Sequence, residues 1–201
     1  EIIQTVEAAD NPLFLFAVTL QGHGPYEADR YADRSVGVTG ALSNGAAASL
    51  ATYAQGVAEA DASFARLIDW AKNRERDTIV VLFGDHLPPL GHVYVESGYM
   101  PEMVATRRAP LETMKKEHET PLVVWSSRTG LQNRIGTISP ALLPYHILKT
   151  AGLGDPFYTG VLGKVQASYS VIDRHMLMER DGSALPDWLT GPSEIPAPIS
   201  Q

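Results

Sequence analysis

Two short polar clusters carry the side chains best suited to chemistry in this sequence. Gln21-Gly22-His23-Gly24 follows the apolar residues 13–19, and Gly84-Asp85-His86 follows the largely apolar residues 78–83. Unalternating apolar runs of this length, closed by glycine or proline, are typical of strands buried on both faces. In an open parallel sheet, ligands bind beyond the carboxyl ends of the strands, which is where both clusters would lie.

Asp85 and His86 together offer one carboxylate oxygen and one imidazole nitrogen. This pair suits a divalent metal such as Zn, Mn or Mg, and a solvated turn is the alternative interpretation of an Asp-His pair in a loop. His23 also has two interpretations: its side chain contacts a ligand, or it only forms a hydrogen bond with a carbonyl group of its own loop. The strand-end position strengthens the metal-site interpretation without excluding the turn.

The elements that must position these clusters form a strand–helix–strand unit. Apolar residues recur at three- and four-residue steps from Ser49 to Arg74, which predicts an amphipathic helix of about seven turns. Such a crossover implies parallel pairing of the flanking strands. Residues 121–126 predict a third strand, and Ser139-Pro140 opens a helix that ends near Ala151. Residues 27–48 and 87–119 are predicted to be irregular.

The composition bounds the class of protein. The chain has 201 residues, 44% of them hydrophobic, and its 16 basic and 23 acidic residues give a net charge of −7. These values indicate a globular domain and argue against a general nucleic-acid surface, which needs a basic stripe. The absence of cysteine excludes disulfides and thiolate metal sites. Residues 184–201 hold four prolines and predict an extended tail.

An ordered set of five segments resembles the sulfatase and alkaline-phosphatase superfamily. The similarity is greatest to lipoteichoic acid synthases and related phosphoglycerol transferases. Residues 16–26 resemble their strand followed by a His-x-Pro-aromatic segment, and residues 53–61 resemble the helix that comes next. Residues 78–86 are similar to the strand that ends in Gly-Asp-His. Residues 120–126 and 138–144 resemble the following strand and helix, although the usual Asp and Thr of that helix are absent.

The resemblance implies a fold and a set of site residues. The fold would be a three-layer α/β/α sandwich with a largely parallel sheet, which this chain would form only in part. Asp85 and His86 would be ligands of one divalent metal ion, with Mn or Mg favoured over Zn. His23 would contact the phosphate of the substrate.

No catalytic nucleophile is identified in this chain. In the resembling proteins the nucleophile is a Thr or a modified Cys or Ser, and it precedes the segment that resembles residues 13–153. Thr5 lacks the strand-then-helix context that exposes and activates a nucleophile. We therefore expect residues 1–183 to be the C-terminal part of a catalytic domain that is inactive without its N-terminal half.

The expected function is metal-dependent transfer of phosphoglycerol in the cell envelope, through a covalent intermediate on a nucleophile outside this chain. Two alternatives stay open, namely a sulfatase or phosphodiesterase-type hydrolase of the same superfamily and a non-catalytic envelope-binding domain. The expected partners are a phosphoglycerol-bearing lipid or glycan and the N-terminal half of the domain, with no nucleic acid. The resemblance places the protein outside the cytoplasmic membrane, tethered by N-terminal membrane helices.

Overall fold

A computed structural model describes residues 1–104, 109–173 and 176–186 of the chain. None of the helices in these ranges is both long enough and apolar enough to cross a membrane. The helices are α1 (Ile2–Glu7), α2 (Asn44–Lys72), α3 (His92–Glu96), α4 (Leu111–His118), α5 (Leu143–Ala151, after a 3-10 turn at Pro140–Leu142) and α6 (Tyr158–Ser168). The strands are β1 (Ile79–Phe83), β2 (Leu122–Ser126), β3 (Gly130–Leu131), β4 (Tyr169–Ile172), β5 (Met176–Glu179) and β6 (Ala184–Pro186).

The chain divides into two compact units. The first comprises Glu1–Arg76 and His86–Ala105, and the second comprises Asp77–Asp85 and Thr106–Gln201. Helices α1, α2 and α3 therefore belong to the first unit. Strands β1 to β6 and helices α4 to α6 belong to the second.

Helix α2 dominates the first unit and begins earlier than its apolar period predicts. It starts at Asn44, so residues 44–48 are helical where the sequence predicts an irregular segment. The Ser43 hydroxyl oxygen accepts a hydrogen bond from the backbone N–H of Ala46 at 3.4 Å. A serine in this position satisfies one of the unpaired amides at a helix start, and the alanines that follow favour the helix.

The core of the first unit forms where α2 meets α3. Helix α3 lies within residues 87–119, which the sequence predicts to be irregular, so that prediction is wrong for both α3 and α4. Short helices of five and eight residues carry too few turns for a clear apolar period. The buried cluster consists of Ala46, Leu90, Val93, Tyr94 and Met100, with Tyr26, Leu42, Leu50, Tyr53 and Leu87 packed against it.

Residues 13–19 do not form the predicted buried strand. They belong to neither of the two sheets found in the described residues, and their side chains are exposed. Phe14 is 80% exposed and Val18 is 72% exposed. An apolar run becomes a buried strand only where other strands pair with it and further layers cover it. The prediction of a parallel strand–helix–strand unit is therefore wrong for its first strand.

The other two predicted strands are confirmed, but their pairing is antiparallel. Strands β1 and β2 are aligned with Val81 opposite Val124, and β3 adds to the far side of β2. Val124 is 1% exposed and lies at the centre of this sheet. The fold is α/β in class. The sheets found in the described residues are small and antiparallel, whereas the sequence predicts a largely parallel sheet.

The predicted helix near residues 140–151 is also confirmed. It ends at Ala151, and the following Gly152 has a φ of 73°, the left-handed conformation that glycine adopts without strain. Strands β4, β5 and β6 form a second three-stranded antiparallel sheet that the sequence analysis does not predict. Its last strand includes residues 184–186 of the predicted tail. Residues 187–201 lie outside the described residues.

Candidate functional site

His23 lies on an exposed turn at the end of the apolar segment. The backbone N–H of His23 donates to the carbonyl oxygen of Leu20 at 3.1 Å and closes the turn. The imidazole Nδ1 lies 2.7 Å from the carbonyl oxygen of Gly24. Because a carbonyl oxygen only accepts, Nδ1 must carry the proton. The Nε2 atom of a neutral His23 is then a hydrogen-bond acceptor.

Helix α2 is the platform on which this loop rests. The buried Thr52 hydroxyl donates to the carbonyl oxygen of Glu27 at 2.9 Å. The rings of Tyr26 and Tyr53 pack edge to face with their centroids 5.7 Å apart. Burial, followed by the neighbouring Tyr53, raises the pKa of Tyr26 above its ordinary 10.0. Its hydroxyl is therefore protonated and donates to the carbonyl oxygen of Gly22 at 3.0 Å.

Gln21, two residues before His23, contacts α2 in the turns that follow Thr52 and Tyr53. Its side-chain amide donates to the carboxylate of Glu59 and, at 3.3 Å, to the hydroxyl of Tyr31. The amide of Gln55 donates to the same Glu59 carboxylate at 3.3 Å. The backbone of Gln21 approaches α2 so closely that a Cβ atom at Gly56 would lie 2.5 Å from its carbonyl oxygen.

Sequence reasoning missed Gly56 and Glu59 as residues that support the candidate site. The spacing carries a signal, because positions 52, 56 and 59 repeat at four and three residues and share one helix face. A glycine inside a long helix is a second signal. It costs about 1 kcal/mol relative to alanine, so its presence points to a close approach by another backbone.

Asp85 follows β1 in the second unit, as the sequence predicts. The preceding Gly84 is fixed beside the start of β2, because its N–H donates to Pro121 O at 3.1 Å and its carbonyl accepts from the Thr120 hydroxyl at 2.7 Å. A Cβ atom at Gly84 would lie 2.9 Å from Thr120 Cβ. Glycine is therefore needed here for the close approach, and Asp85 is exposed beyond it.

His86 begins the second segment of the first unit and is exposed. Its Nδ1 donates to the carbonyl oxygen of Leu87 at 2.8 Å. Metal-binding histidines usually donate the N–H of one ring nitrogen to a carbonyl or carboxylate and bind the metal through the other. The ring of His86 thus has the hydrogen-bond pattern of an Nε2 ligand.

The donor types at Asp85 and His86 fit a divalent cation, but their number is small. No group of three or more His, Asp or Glu side chains suited to a metal ion occurs in residues 1–104, 109–173 and 176–186. Divalent sites in proteins usually have at least three protein ligands or complete their shell with water and substrate. Asp85 and His86 as metal ligands, and His23 as a phosphate contact, stay predictions.

The loop that carries His23 borders a shallow cavity in the first unit. Its volume is about 330 Å³, at the lower end of the range for small-molecule sites. An imidazole, a guanidinium and a carboxylate share its wall, so it can contact both anionic and hydroxyl groups. The cavity is lined by Leu20, His23, Gly24, Pro25, Glu27 and Arg30.

Comparison with known families places the chain in a class of enzymes. A sequence model of the Sulfatase family matches residues 1–153, which is most of the chain. The chain therefore belongs to the Sulfatase family, as the ordered motifs of the sequence indicate. Members of this family are enzymes of the sulfatase and alkaline-phosphatase superfamily, so the family assignment supports enzyme chemistry at the superfamily level.

A similar protein carries a more specific description than the family does. The chain is 56% identical over 199 residues to a protein of Rhizobium meliloti (strain 1021) described as a putative cyclic beta-1,2-glucan modification protein. The match covers 99% of this chain and 31% of the relative, so the chain spans about a third of that protein's length. No solved structure matches the chain significantly.

Proposed function

We propose that the chain is the phosphate- and metal-binding part of a phosphoglycerol transferase that modifies a glucan of the cell envelope. The observation that carries this proposal is the His23 loop, which α2 anchors and which directs Nε2 away from the Gly24 carbonyl group. Membership of the Sulfatase family supports phosphoryl-type chemistry. The description of the Rhizobium relative supports a β-1,2-glucan as the acceptor.

The proposed reaction has two displacements at phosphorus. A hydroxyl oxygen of a nucleophile outside these 201 residues bonds to the phosphorus of a phosphoglycerol donor. The bond from phosphorus to the donor alcohol breaks, and that alcohol takes up the proton that the nucleophile's hydroxyl gives up. A glucan hydroxyl oxygen then bonds to phosphorus, the nucleophile's oxygen leaves, and the proton of the glucan hydroxyl restores the nucleophile. The covalent intermediate separates one difficult transfer into two easier steps.

His23 would serve the phosphoryl group at each displacement. Protonated His23 can donate from Nε2 to a phosphate oxygen or to the departing alcohol, and neutral His23 can accept a proton from the glucan hydroxyl at the same atom. Asp85 and His86 would hold a divalent ion, with Mn or Mg favoured. When bound, such an ion would neutralise charge on the phosphoryl group and lower the pKa of a hydroxyl nucleophile.

The proposal includes the setting of the complete protein. The largely parallel, three-layer sheet of the family would be completed by polypeptide outside these 201 residues. The apolar residues 13–19 would then become a buried strand. The protein would act outside the cytoplasmic membrane, where an envelope glucan is accessible, with membrane helices N-terminal to this part as the anchor.

A chimera tests the proposed function. This chain replaces the matching 199 residues of the Rhizobium relative, and the chimera is expressed in a strain that lacks the relative. Phosphorus NMR and mass spectrometry of the extracted cyclic glucan then measure phosphoglycerol substitution. We expect substitution with the chimera, and its loss with His23→Ala, Asp85→Asn or His86→Ala.

The control is His118→Ala, which removes an exposed imidazole of α4 and should leave substitution unchanged. Manganese content of the purified variants separates the roles, because Asp85→Asn and His86→Ala should lose metal while His23→Ala keeps it. Release of free glycerol phosphate without glucan substitution would make the protein a hydrolase. Full substitution by all three variants would refute the assignment of these residues.

A further inference from the structure

Arg30 reaches back along the chain to the backbone of the His23 loop. Its Nη1 donates to the carbonyl oxygen of His23 at 2.5 Å. Its Nη2 lies 3.3 Å from the carbonyl oxygen of Gln21 and 3.5 Å from that of Leu20. One guanidinium group therefore binds the residue that carries the imidazole and the backbone that leads into it.

With Arg30 in place, all five consecutive carbonyl groups of residues 20–24 accept a hydrogen bond. Arg30 donates to three of them, with the two shorter bonds to His23 and Gln21, which is more than any other side chain. The donors are the N–H of His23 for Leu20, Arg30 Nη2 for Gln21, the Tyr26 hydroxyl for Gly22, Arg30 Nη1 for His23, and His23 Nδ1 for Gly24.

The sequence explains why the backbone around His23 needs hydrogen bonds from Arg30, an arrangement called the Arg30 clamp below. His23 has glycine on both sides, and glycine loses more conformational freedom on ordering than any other residue. His23 itself is exposed, so little packing restrains its own side chain. Hydrogen bonds from a side chain outside the loop can select one backbone conformation, and the selected conformation brings Gly24 O within 2.7 Å of His23 Nδ1.

We propose that Arg30 is a positioning residue for His23: its guanidinium holds the loop so that Nδ1 keeps the proton and Nε2 is directed outward. This inference rests on the proposed function for its catalytic meaning, but its structural content does not depend on activity. Arginine suits the task because its planar fork donates to two carbonyl groups at once. A lysine ammonium on its flexible stem lacks that geometry.

The test is nitrogen-15 NMR of the imidazole groups in the 201-residue chain at a pH where His23 is neutral. In the wild type we expect the His23 ring in a single tautomer, with Nδ1 protonated. Arg30→Ala and Arg30→Lys should each convert it to a mixture of both tautomers. The matched control is Arg34→Ala, because Arg34 is an exposed arginine of the same segment whose guanidinium binds the carbonyl group of Ala28 instead.

Every outcome of this test is decisive. A wild-type tautomer in Arg30→Lys would overturn the role of the guanidinium fork, and a tautomer mixture in the wild type would overturn the clamp itself. An equal change in Arg34→Ala would show a general loosening of the segment and would also overturn it. Far-UV circular dichroism checks that each variant folds. If Arg30→Ala does not fold, the tautomer state of Arg30→Lys alone decides the test.

Kinetics in the chimera link the clamp to function. We expect Arg30→Ala to lower kcat/KM for phosphoglycerol transfer by about tenfold or more, mostly through kcat, because a displaced catalytic group costs transition-state stabilisation. Arg30→Lys should not rescue the rate. If the Arg30 variants change the His23 tautomer but the chimera is inactive, the positioning role of Arg30 is supported and the proposed function is contradicted. Unchanged kinetics in an active chimera, together with the tautomer change, would refute the catalytic meaning of the clamp.

Discussion

The α carbon of Gly56 faces the carbonyl oxygen of Gln21, and a Cβ atom built at Gly56 would lie 2.5 Å from that oxygen. The contact joins the middle of helix α2 to the backbone two residues before His23. The same Cβ atom would lie 3.3 Å from the hydroxyl of Tyr31. The absence of a side chain at position 56 therefore allows the candidate catalytic loop to lie directly on the helix.

Gly56→Ala should consequently destabilise the chain, although alanine is the better helix former. Helix propensity alone predicts a gain of about 1 kcal/mol. Overpacking against a backbone atom costs about 1–3 kcal/mol, so we expect a net loss of free energy of unfolding. Urea denaturation measures it, and the control is Gly45→Ala, where a Cβ atom in the same helix would meet nothing within 4 Å. A stability gain in both variants would contradict the close approach.

The start of α2 should be sensitive to acid through Glu96. The N–H of Ser43 donates to Glu96 Oε2 at 2.6 Å and its hydroxyl donates to Oε1 at 2.9 Å. These bonds, the backbone one foremost, lower the pKa of Glu96 below its ordinary 4.5. A lowered carboxyl pKa stabilises the fold above the ordinary value, and this contribution is lost as the pH falls through the lowered pKa. Glu96→Gln should therefore reduce Tm at pH 7 and have little effect at the acid end.

The matched control for Glu96 is Asp61→Asn, which neutralises an exposed carboxylate of helix α2. We expect its effect on Tm at pH 7 to be small, since exposed charges away from specific partners contribute little. A Tm difference between wild type and Glu96→Gln that is the same at pH 7 and at pH 3 would show that ionisation of Glu96 is not what holds Ser43.

Local signals account for the elements that the sequence predicts correctly. Strands β1 and β2 have apolar runs bounded by glycine, proline or charge, and helix α5 is followed by the stop residue Gly152. Asp85 also lies just beyond β1, as the sequence predicts, because only Gly84 separates it from Phe83 at the end of that strand. These features depend on neighbours in the sequence, so one sequence suffices to find them.

The failures have a different physical origin. Residues 13–19 form a buried strand only if other strands hydrogen-bond to them. No local pattern in residues 13–19 indicates whether such strands are available. The pairing direction of β1 and β2 is likewise decided by tertiary contacts. The His23 loop is held by a hydrogen bond from Gln21 to Glu59, two residues that lie 38 positions apart in the sequence. Periodicity identifies α2 as a helix, but it does not reveal which of its polar residues face the loop.

The apolar segment should make the 201-residue chain self-associate in solution. Residues 13–20 place exposed apolar side chains in sequence, and contiguous apolar surface of this kind promotes association. Val18→Asp should lower the concentration dependence of the mass measured by light scattering. Tm should change little, because Val18 is 72% exposed. Leu131→Asp, at a single exposed apolar side chain of β3, is the control that should leave association unchanged.

The packing of α5 against α6 should weaken in mild acid because of His146. Burial, followed by the charges of Lys149 and Arg180, lowers the pKa of His146 below its ordinary 6.5, and a hydrogen bond with Gln166 opposes this shift. The unfolded chain then takes up a proton before the folded chain does. The stabilisation is complete above pH 6.5 and is lost as the pH falls through the lowered pKa. NMR titration should place the His146 midpoint below 6.5, and Lys149→Gln should raise it. A midpoint at or above 6.5, or one that Lys149→Gln leaves unchanged, would contradict this account of the helix contact.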